Sequence, residues 1–180
     1  MEALGFCVFD TAIGPCGIAW SDQAIVTCQL PEHDRDGTTR RMLRRHPDVA
    51  PCAPPGWVES VIARLQALLE GERDDLADVV LDMREEPDFN RRVYDVTRAI
   101  PPGRTLTYGE VAQRIGEPGS ARAVGQALGH NPFAPIVPCH RVLGAGNTGV
   151  GFSATGGVDT KLKMLEIERA QLGSHPGLFD

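Results

Sequence analysis

The densest run of residues able to do chemistry is Asn131-Pro132-Phe133-Ala134-Pro135-Ile136-Val137-Pro138-Cys139-His140-Arg141-Val142. Its three prolines fix the backbone and exclude a regular helix, so whatever the segment presents is held rigidly. Of the five cysteines, Cys139 alone stands beside a histidine and an arginine. Electropositive neighbours lower a thiol pKa and raise the thiolate fraction, which makes Cys139 the candidate nucleophile. Adjacent side chains on an extended segment point to opposite sides, so His140 is expected to act on Cys139 through a bridging water. A buried cysteine next to a structural histidine is the competing account of so short a pair.

A second clue lies downstream. Apolar spacing predicts a helix over about residues 159–172, and Glu168 falls in the arc of Met164, Leu165 and Leu172, on the face turned to the core. A buried carboxylate needs a partner. Glu168, His140, water and Cys139 in that order have the logic of orienter, base and nucleophile found in hydrolytic triads. Lys161 and Arg169 border the same arc, so an ion pair at the helix rim is the alternative.

Several elements must position these groups. Alternation from Phe6 to Phe9, a turn at Gly14-Pro15, and the runs Cys16 to Trp20 and Ala24 to Leu30 around Ser21-Asp22-Gln23 predict an antiparallel meander. Residues 31–56 read as a connection with a short helix around Arg40-Arg41-Met42-Leu43-Arg44-Arg45, whose arginines are a solvated face or phosphate contacts. Val58, Ile62, Leu65, Leu68 and Leu69 recur at helical spacing, and Leu76 to Leu81 is a strand candidate. From Pro87 the character changes, and a boundary near 83–88 gives domains 1–86 and 87–180. Phe89, Val93, Val96 and Ile100 mark a helix stopped by Pro101-Pro102-Gly103. Thr107 and Glu110 have the spacing of a capping box. Gly116-Glu117-Pro118-Gly119 then breaks the helix, and Ser120 is placed to cap the next. Two short helices joined by a glycine-containing turn read as a helix-turn-helix. The second is thin, carrying Ala121, Ala123, Gly125, Ala127 and Gly129 with one long cation, Arg122. Such a rod suits tight helix packing or close approach to a narrow DNA groove. The fold class is therefore mixed α/β (α+β): an antiparallel-sheet domain with a helix, then a mostly helical domain.

At 180 residues with 42% hydrophobic and 23% charged residues, the chain can bury a core without disulfides or metal. No apolar run approaches the roughly 20 residues a membrane helix needs. The N-terminus lacks a basic region followed by an apolar stretch, so a cytoplasmic, reducing compartment with free thiols is expected. The net charge of −6 argues, as an average, against a nucleic-acid partner. Its distribution argues otherwise: residues 1–88 carry 8 basic and 17 acidic groups, whereas residues 89–141 carry 7 arginines against 3 acids.

The run Pro138-Cys139-His140-Arg141-Val142, with Asn131-Pro132 before it and Gly156-Gly157 and Lys161 to Glu168 after it, closely resembles the O6-alkylguanine-DNA alkyltransferases, or methylated-DNA-protein-cysteine methyltransferases. Ile100-Pro101-Pro102-Gly103 with Tyr108 resembles the same family, as does Ala121-Arg122-Ala123-Val124-Gly125. The resemblance is strong over about residues 88–170; before that, only the strand-rich start is compatible, with a ribonuclease H-like domain. It implies irreversible transfer of an alkyl group from O6 of guanine, and O4 of thymine, in double-stranded DNA to Cys139. It further implies His140 as base through water, Glu168 as its orienter and Asn131 as brace of the turn. Tyr108 would crowd the target phosphate and donate toward the flipped guanine, and Arg122 would fill the stack, since flipping costs a few kcal/mol. Val142 and the backbone at Cys139 would line the pocket and accept from the guanine amino group. The implied protein is a monomer without cofactor or metal, consumed in one event.

Two departures stand out. Gly151-Phe152-Ser153-Ala154-Thr155 before Gly156-Gly157 is longer than the family pattern, with Phe152 in place of a tyrosine and either Ser153 or Thr155 near O6. Cys7, Cys28 and His33 have no recognised zinc spacing. Two other readings compete: an alkyltransferase-like damage sensor, which would lack the cysteine, and a Cys-His hydrolase without nucleic acid, which Tyr108, Arg122 and the thin helix disfavour.

Overall fold

The computed structural model describes residues 3–145 and 157–170. The chain begins as a three-stranded antiparallel meander, β1 (Gly5–Thr11), β2 (Gly14–Trp20) and β3 (Ile25–Gln29). The first turn falls on Ala12-Ile13 rather than Gly14-Pro15, because Gly14 already pairs with Thr11 and Pro15 with Asp10. Gly14 holds φ at 123°, open to glycine but strained for other residues.

Helix α1 (Arg35–Arg45) starts at Asp34, whose carboxylate accepts from the Gly37 amide at 2.6 Å. It buries Met42 with Phe6 and Ala19 on one face of the sheet. The other face, through Phe9, Ile18 and Trp20, packs with Val58, Val61, Leu65 and Leu68 of α2 (Gly56–Leu68). Residues 76–81 do not form the expected strand. Leu76 takes a left-handed φ of 52°, and only one bridge, Leu81 to Ile25, joins this segment to β3.

Helix α3 (Asp88–Arg98) ends before Pro101-Pro102 and packs on α4 (Tyr108–Arg114) and α5 (Ala121–Gly129). The capping box is present: Thr107 accepts from the Glu110 amide, and Glu110 accepts from the Thr107 amide, each at 3.1 Å. Ser120 does not cap α5; its hydroxyl donates to the Glu117 carbonyl at 2.6 Å instead. Val124, Ala127 and Leu128 are buried as the spacing predicts, and the Tyr94 hydroxyl donates to the Ala127 carbonyl at 2.8 Å. Two short parallel strands, β4 (Leu106–Thr107) and β5 (Val142–Leu143), pair Leu106 with Val142. In this parallel register Tyr108 continues past the Thr107–Leu143 end of the ladder and Arg141 precedes its Leu106–Val142 end, so the pairing fixes the start of α4 relative to the Cys139–Arg141 turn.

Helix α6 (Gly157–Ile167) is shorter than expected. Arg169 adopts φ 53°, its amide donates to the Glu166 carbonyl and the Ala170 amide to the Leu165 carbonyl, which is a Schellman ending. Leu172 lies outside the described residues. The N-terminal sheet and the helical half are tied directly: the Cys28 amide donates to the Pro132 carbonyl at 2.8 Å, and Arg98 Nη2 donates to the carbonyls of Leu76 and Val79 at 2.8 Å each. The architecture is thus an antiparallel sheet with helices followed by a mostly helical half, in the mixed α/β class expected. No helix among the described residues is long and apolar enough to cross a membrane.

Candidate active site

The proline-rich segment does not present Cys139 on an extended strand. Pro138 (φ −81°, ψ 67°) is the centre of an inverse γ-turn in which the Cys139 amide donates to the Val137 carbonyl at 2.8 Å. A single 3-10 turn, Cys139–Arg141, follows, closed by the Arg141 amide on the Pro138 carbonyl at 2.9 Å. Asn131 braces this arrangement from outside. Its Nδ2 donates to the same Val137 carbonyl at 2.8 Å, while its Oδ1 accepts from the Phe133 amide at 2.9 Å. Val137 therefore uses both lone pairs of its carbonyl to fix the residue two places before the thiol.

His140 and Glu168 meet as expected: His140 Nε2 lies 2.8 Å from Glu168 Oε1, both side chains buried. Glu168 sits just beyond the last turn of α6, where the Schellman ending turns the chain. A third group completes the cluster. Arg141 donates through Nε to Glu168 Oε2 at 3.0 Å and through Nη2 to Oε1 at 2.7 Å, and its Nη1 donates to the Ile100 carbonyl at 2.7 Å. Burial pushes the Glu168 carboxyl up, but His140 and the Arg141 fork outweigh it and hold the pKa at about 2. Burial lowers the His140 pKa more than Glu168 raises it, so the ring is neutral at pH 7. An ionised carboxylate only accepts, hence His140 Nε2 carries the proton and Nδ1 the lone pair. That Nδ1 is buried and has no partner among the described residues.

Cys139 is 8% exposed. Burial raises its pKa, opposed by a hydrogen bond with Asn131, the charge of Lys161 and the backbone amides of the turn. The thiol thus needs a base at neutral pH. Lys161, fully buried on α6, donates to the Val142 carbonyl at 2.5 Å and stands 5.7 Å from the Tyr108 ring centre. Burial brings its pKa down to about 8, against the pull of Cys139. Tyr108 is half-buried at the start of α4, and its pKa is raised by burial and by Cys139. The ring edge passes Gly125, where an added Cβ would meet Tyr108 Cε1 at 3.9 Å.

The structure thus brings Cys139, His140, Glu168, Asn131 and Tyr108 around one turn. Arg122 is exposed near the start of α5, with Ala121, Ala123 and Gly125 partly exposed beside it. Val142 is fully buried in the core of the helical half. Gly151, Phe152, Ser153 and Thr155 lie outside the described residues. Among those described, no group of three or more His, Cys, Asp or Glu side chains could hold a metal ion.

The basic surplus of residues 89–141 is largely internal. Arg91 donates to the carbonyls of Glu86 and Arg84, Arg92 to that of Ile115 and to Glu117, Arg98 to Leu76 and Val79, and Arg141 to Glu168. Arg104, Arg114 and Arg122 remain exposed without a partner among the described residues.

Known proteins resemble this chain over most of its length. The family model "6-O-methylguanine DNA methyltransferase, DNA binding domain" matches residues 88–170. A Mycobacterium tuberculosis protein named methylated-DNA--protein-cysteine methyltransferase is 39% identical over 173 residues, covering 95% of this chain and 96% of its own. The chain belongs to the 6-O-methylguanine DNA methyltransferase family. A methyltransferase of the same name from Methanothermobacter thermautotrophicus is 33% identical over 87% of this chain and 80% of its own. The crystal structure of Mycobacterium tuberculosis OGT in complex with DNA superposes with a TM-score of 0.74 at 36% identity, covering 92% of this chain and 93% of that one. The O6-methylguanine-DNA methyltransferase from Pyrococcus kodakaraensis gives 0.67 at 27% identity, over 91% and 98%.

Within this methyltransferase, sequence reasoning left Arg141 without a role toward Glu168. The available signal was charge: a carboxylate on a core face calls for a cation as well as a neutral ring, and Arg141 adjoins His140.

Proposed function

We propose that the chain repairs DNA by direct reversal, moving an alkyl group from O6 of guanine in duplex DNA to Cys139 in one irreversible step. The observation that carries this reading is the buried chain of contacts from Arg141 through Glu168 to His140, which leaves Nδ1 unprotonated beside a rigid turn bearing a protonated thiol.

His140 Nδ1 takes the thiol proton through water as Cys139 Sγ attacks the O6-alkyl carbon. The new S–C bond forms as the C–O bond breaks, and guanine leaves with its negative charge. Tyr108, donating toward the departing base, eases that charge. Glu168 keeps Nε2 protonated and the ring oriented, and offsets the imidazolium that forms. A thioether is a poor leaving group, so each molecule reacts once. Ala121, Ala123 and Gly125 let α5 approach the minor groove, and Arg122 fills the gap left by the flipped guanine. Residues 1–86 form a strand-rich N-terminal domain and residues 87–180 the alkyltransferase domain, in a monomer. A cytoplasmic, reducing setting suits a reaction that needs a free thiol.

The test is Cys139→Ala measured on duplex DNA carrying O6-methylguanine. Transfer should be abolished while affinity for the duplex stays within about twofold, a change below ~0.5 kcal/mol. Continued transfer by this variant would refute the assignment. Arg122→Ala should weaken binding to duplexes that require flipping and leave the Cys139 thiol intact; unchanged binding contradicts the role given to Arg122.

A further inference from the structure

Two thiols lie away from the site, Cys7 on β1 and Cys52 in the segment after α1. Phe6 and Pro51 form an isolated parallel bridge, with the Cys52 amide donating to the Phe6 carbonyl at 3.0 Å. The bridge is confined to Phe6 and Pro51, and Cys7 and Cys52 are the next residues of the two segments in the same parallel sense. Side chains alternate along a strand, and Phe6 points to Ala19 and Met42, so Gly5 and Cys7 share the other face. The Cys52 sulfur lies on that face too: a Cβ built on Gly5 would come within 2.3 Å of it. The missing side chain of Gly5 is what makes room for the Cys52 thiol. Neighbouring strands run about 4.8 Å apart, inside the roughly 4.4–6.8 Å Cα separation a disulfide spans. Cys52 is exposed and Cys7 half-buried.

We propose that Cys7 and Cys52 form a peroxide-responsive dithiol, which closes a disulfide between β1 and the segment after α1. Cys52, open to solvent, reacts first. Its sulfur attacks hydrogen peroxide, an S–O bond forms as O–O breaks, and water departs with the thiol proton, leaving a sulfenic acid. Cys7 then attacks that sulfur: S–S forms, S–O breaks, and the hydroxyl leaves as water with the Cys7 proton. Two thiols lose two electrons in all, and one peroxide becomes two waters. Burial, chiefly, holds the Cys7 pKa up at about 11, which keeps Cys7 from reacting first with peroxide; its later attack on the Cys52 sulfenic acid relies on proximity within one chain. Cys16 and Cys28 are buried, and Cys139 is 8% exposed, so the pair is also the more accessible target.

The experiment treats the full chain with graded hydrogen peroxide, blocks remaining thiols with iodoacetamide and maps peptides by mass spectrometry without reduction. The expected product is a monomer with Cys7 and Cys52 peptides linked, two hydrogens lighter than the reduced pair and restored by dithiothreitol. Cys52→Ser should lose the link and keep alkyl transfer at the wild-type level. Cys7→Ser should let Cys52 run on to the sulfinic acid. Oxidation of Cys139 before the pair, a link only between two chains, or sulfinic Cys52 in the wild type without any link would overturn the proposal.

Discussion

His140 Nε2 and Glu168 Oε1 lie 2.8 Å apart in the interior, and the same oxygen accepts from Arg141 Nη2 at 2.7 Å. One carboxylate therefore orients the base and neutralises a buried guanidinium. Glu168→Gln separates these duties badly, since an amide can accept from one donor while its own NH2 faces the other. The variant should lose about 3–5 kcal/mol of stability, because Arg141 is left buried and uncompensated. Below its melting temperature the alkyl-transfer rate should fall by about 10²-fold or more. A variant with wild-type stability and rate would contradict the cluster.

The same groups set the acid stability. The folded-state pKa of Glu168, about 2, lies below its ordinary 4.5, so its contribution is present above 4.5 and lost as pH falls through about 2. The His140 pKa is also depressed in the folded state, from an ordinary value of 6.5. The unfolded chain therefore binds its proton first, and stability declines as pH drops below 6.5. Melting temperature should fall continuously from pH 6.5 to 2 in the wild type. His140→Gln should remove the upper part of that decline and leave the lower part. An identical pH profile in the variant would show that the histidine is not held neutral.

Asn131 makes a sharper test of positioning than either charged group. Asn131→Ala removes one of the two donors to the Val137 carbonyl and the acceptor of the Phe133 amide. With one residue between Val137 and the thiol, the transfer rate should drop about 10-fold or more, while duplex affinity changes little. A fall in affinity with an unchanged transfer rate would place Asn131 on the DNA rather than behind the turn.

Much of this was legible in the sequence because it follows local rules. The Thr107 and Glu110 capping box depends on spacing alone, and so does the core-facing placement of Glu168. The Leu76 to Leu81 strand fails because Asp74 accepts from the Leu76 amide at 2.9 Å and turns the chain there, which apolar content does not reveal. Ser120 was eligible as a cap, but the carbonyl of Glu117 competes for its hydroxyl. The sequence alone places Cys139 on an extended segment. Three prolines forbid a regular helix, yet they permit a γ-turn followed by one 3-10 turn. The double use of Glu168 by His140 and Arg141 joins residues 27 and 28 positions apart in the chain, and it becomes visible only once β5 and α6 are assembled.

Charge gave the least direct reading. The arginines of residues 89–141 count equally in a sum, but four of the seven bind carbonyls or carboxylates within the protein. With Arg104, Arg114 and Arg122 as the exposed cations of that stretch, the slope of log K against log salt should be no steeper than about −3. Fluorescence anisotropy on an unmodified duplex from 50 to 200 mM salt, on the order used for such titrations, checks this. A slope near −6 would require cations from elsewhere, with the α1 arginines Arg40, Arg44 and Arg45 the first to examine.

The central claim is that the alkyl group ends on the Cys139 sulfur. The full chain, incubated with duplex DNA carrying a single O6-methylguanine and then digested, should yield one added methyl group per molecule, located by tandem mass spectrometry on Cys139, with guanine restored in the DNA. A repaired base with an unmodified Cys139, or a methyl group on any other cysteine, would contradict the account.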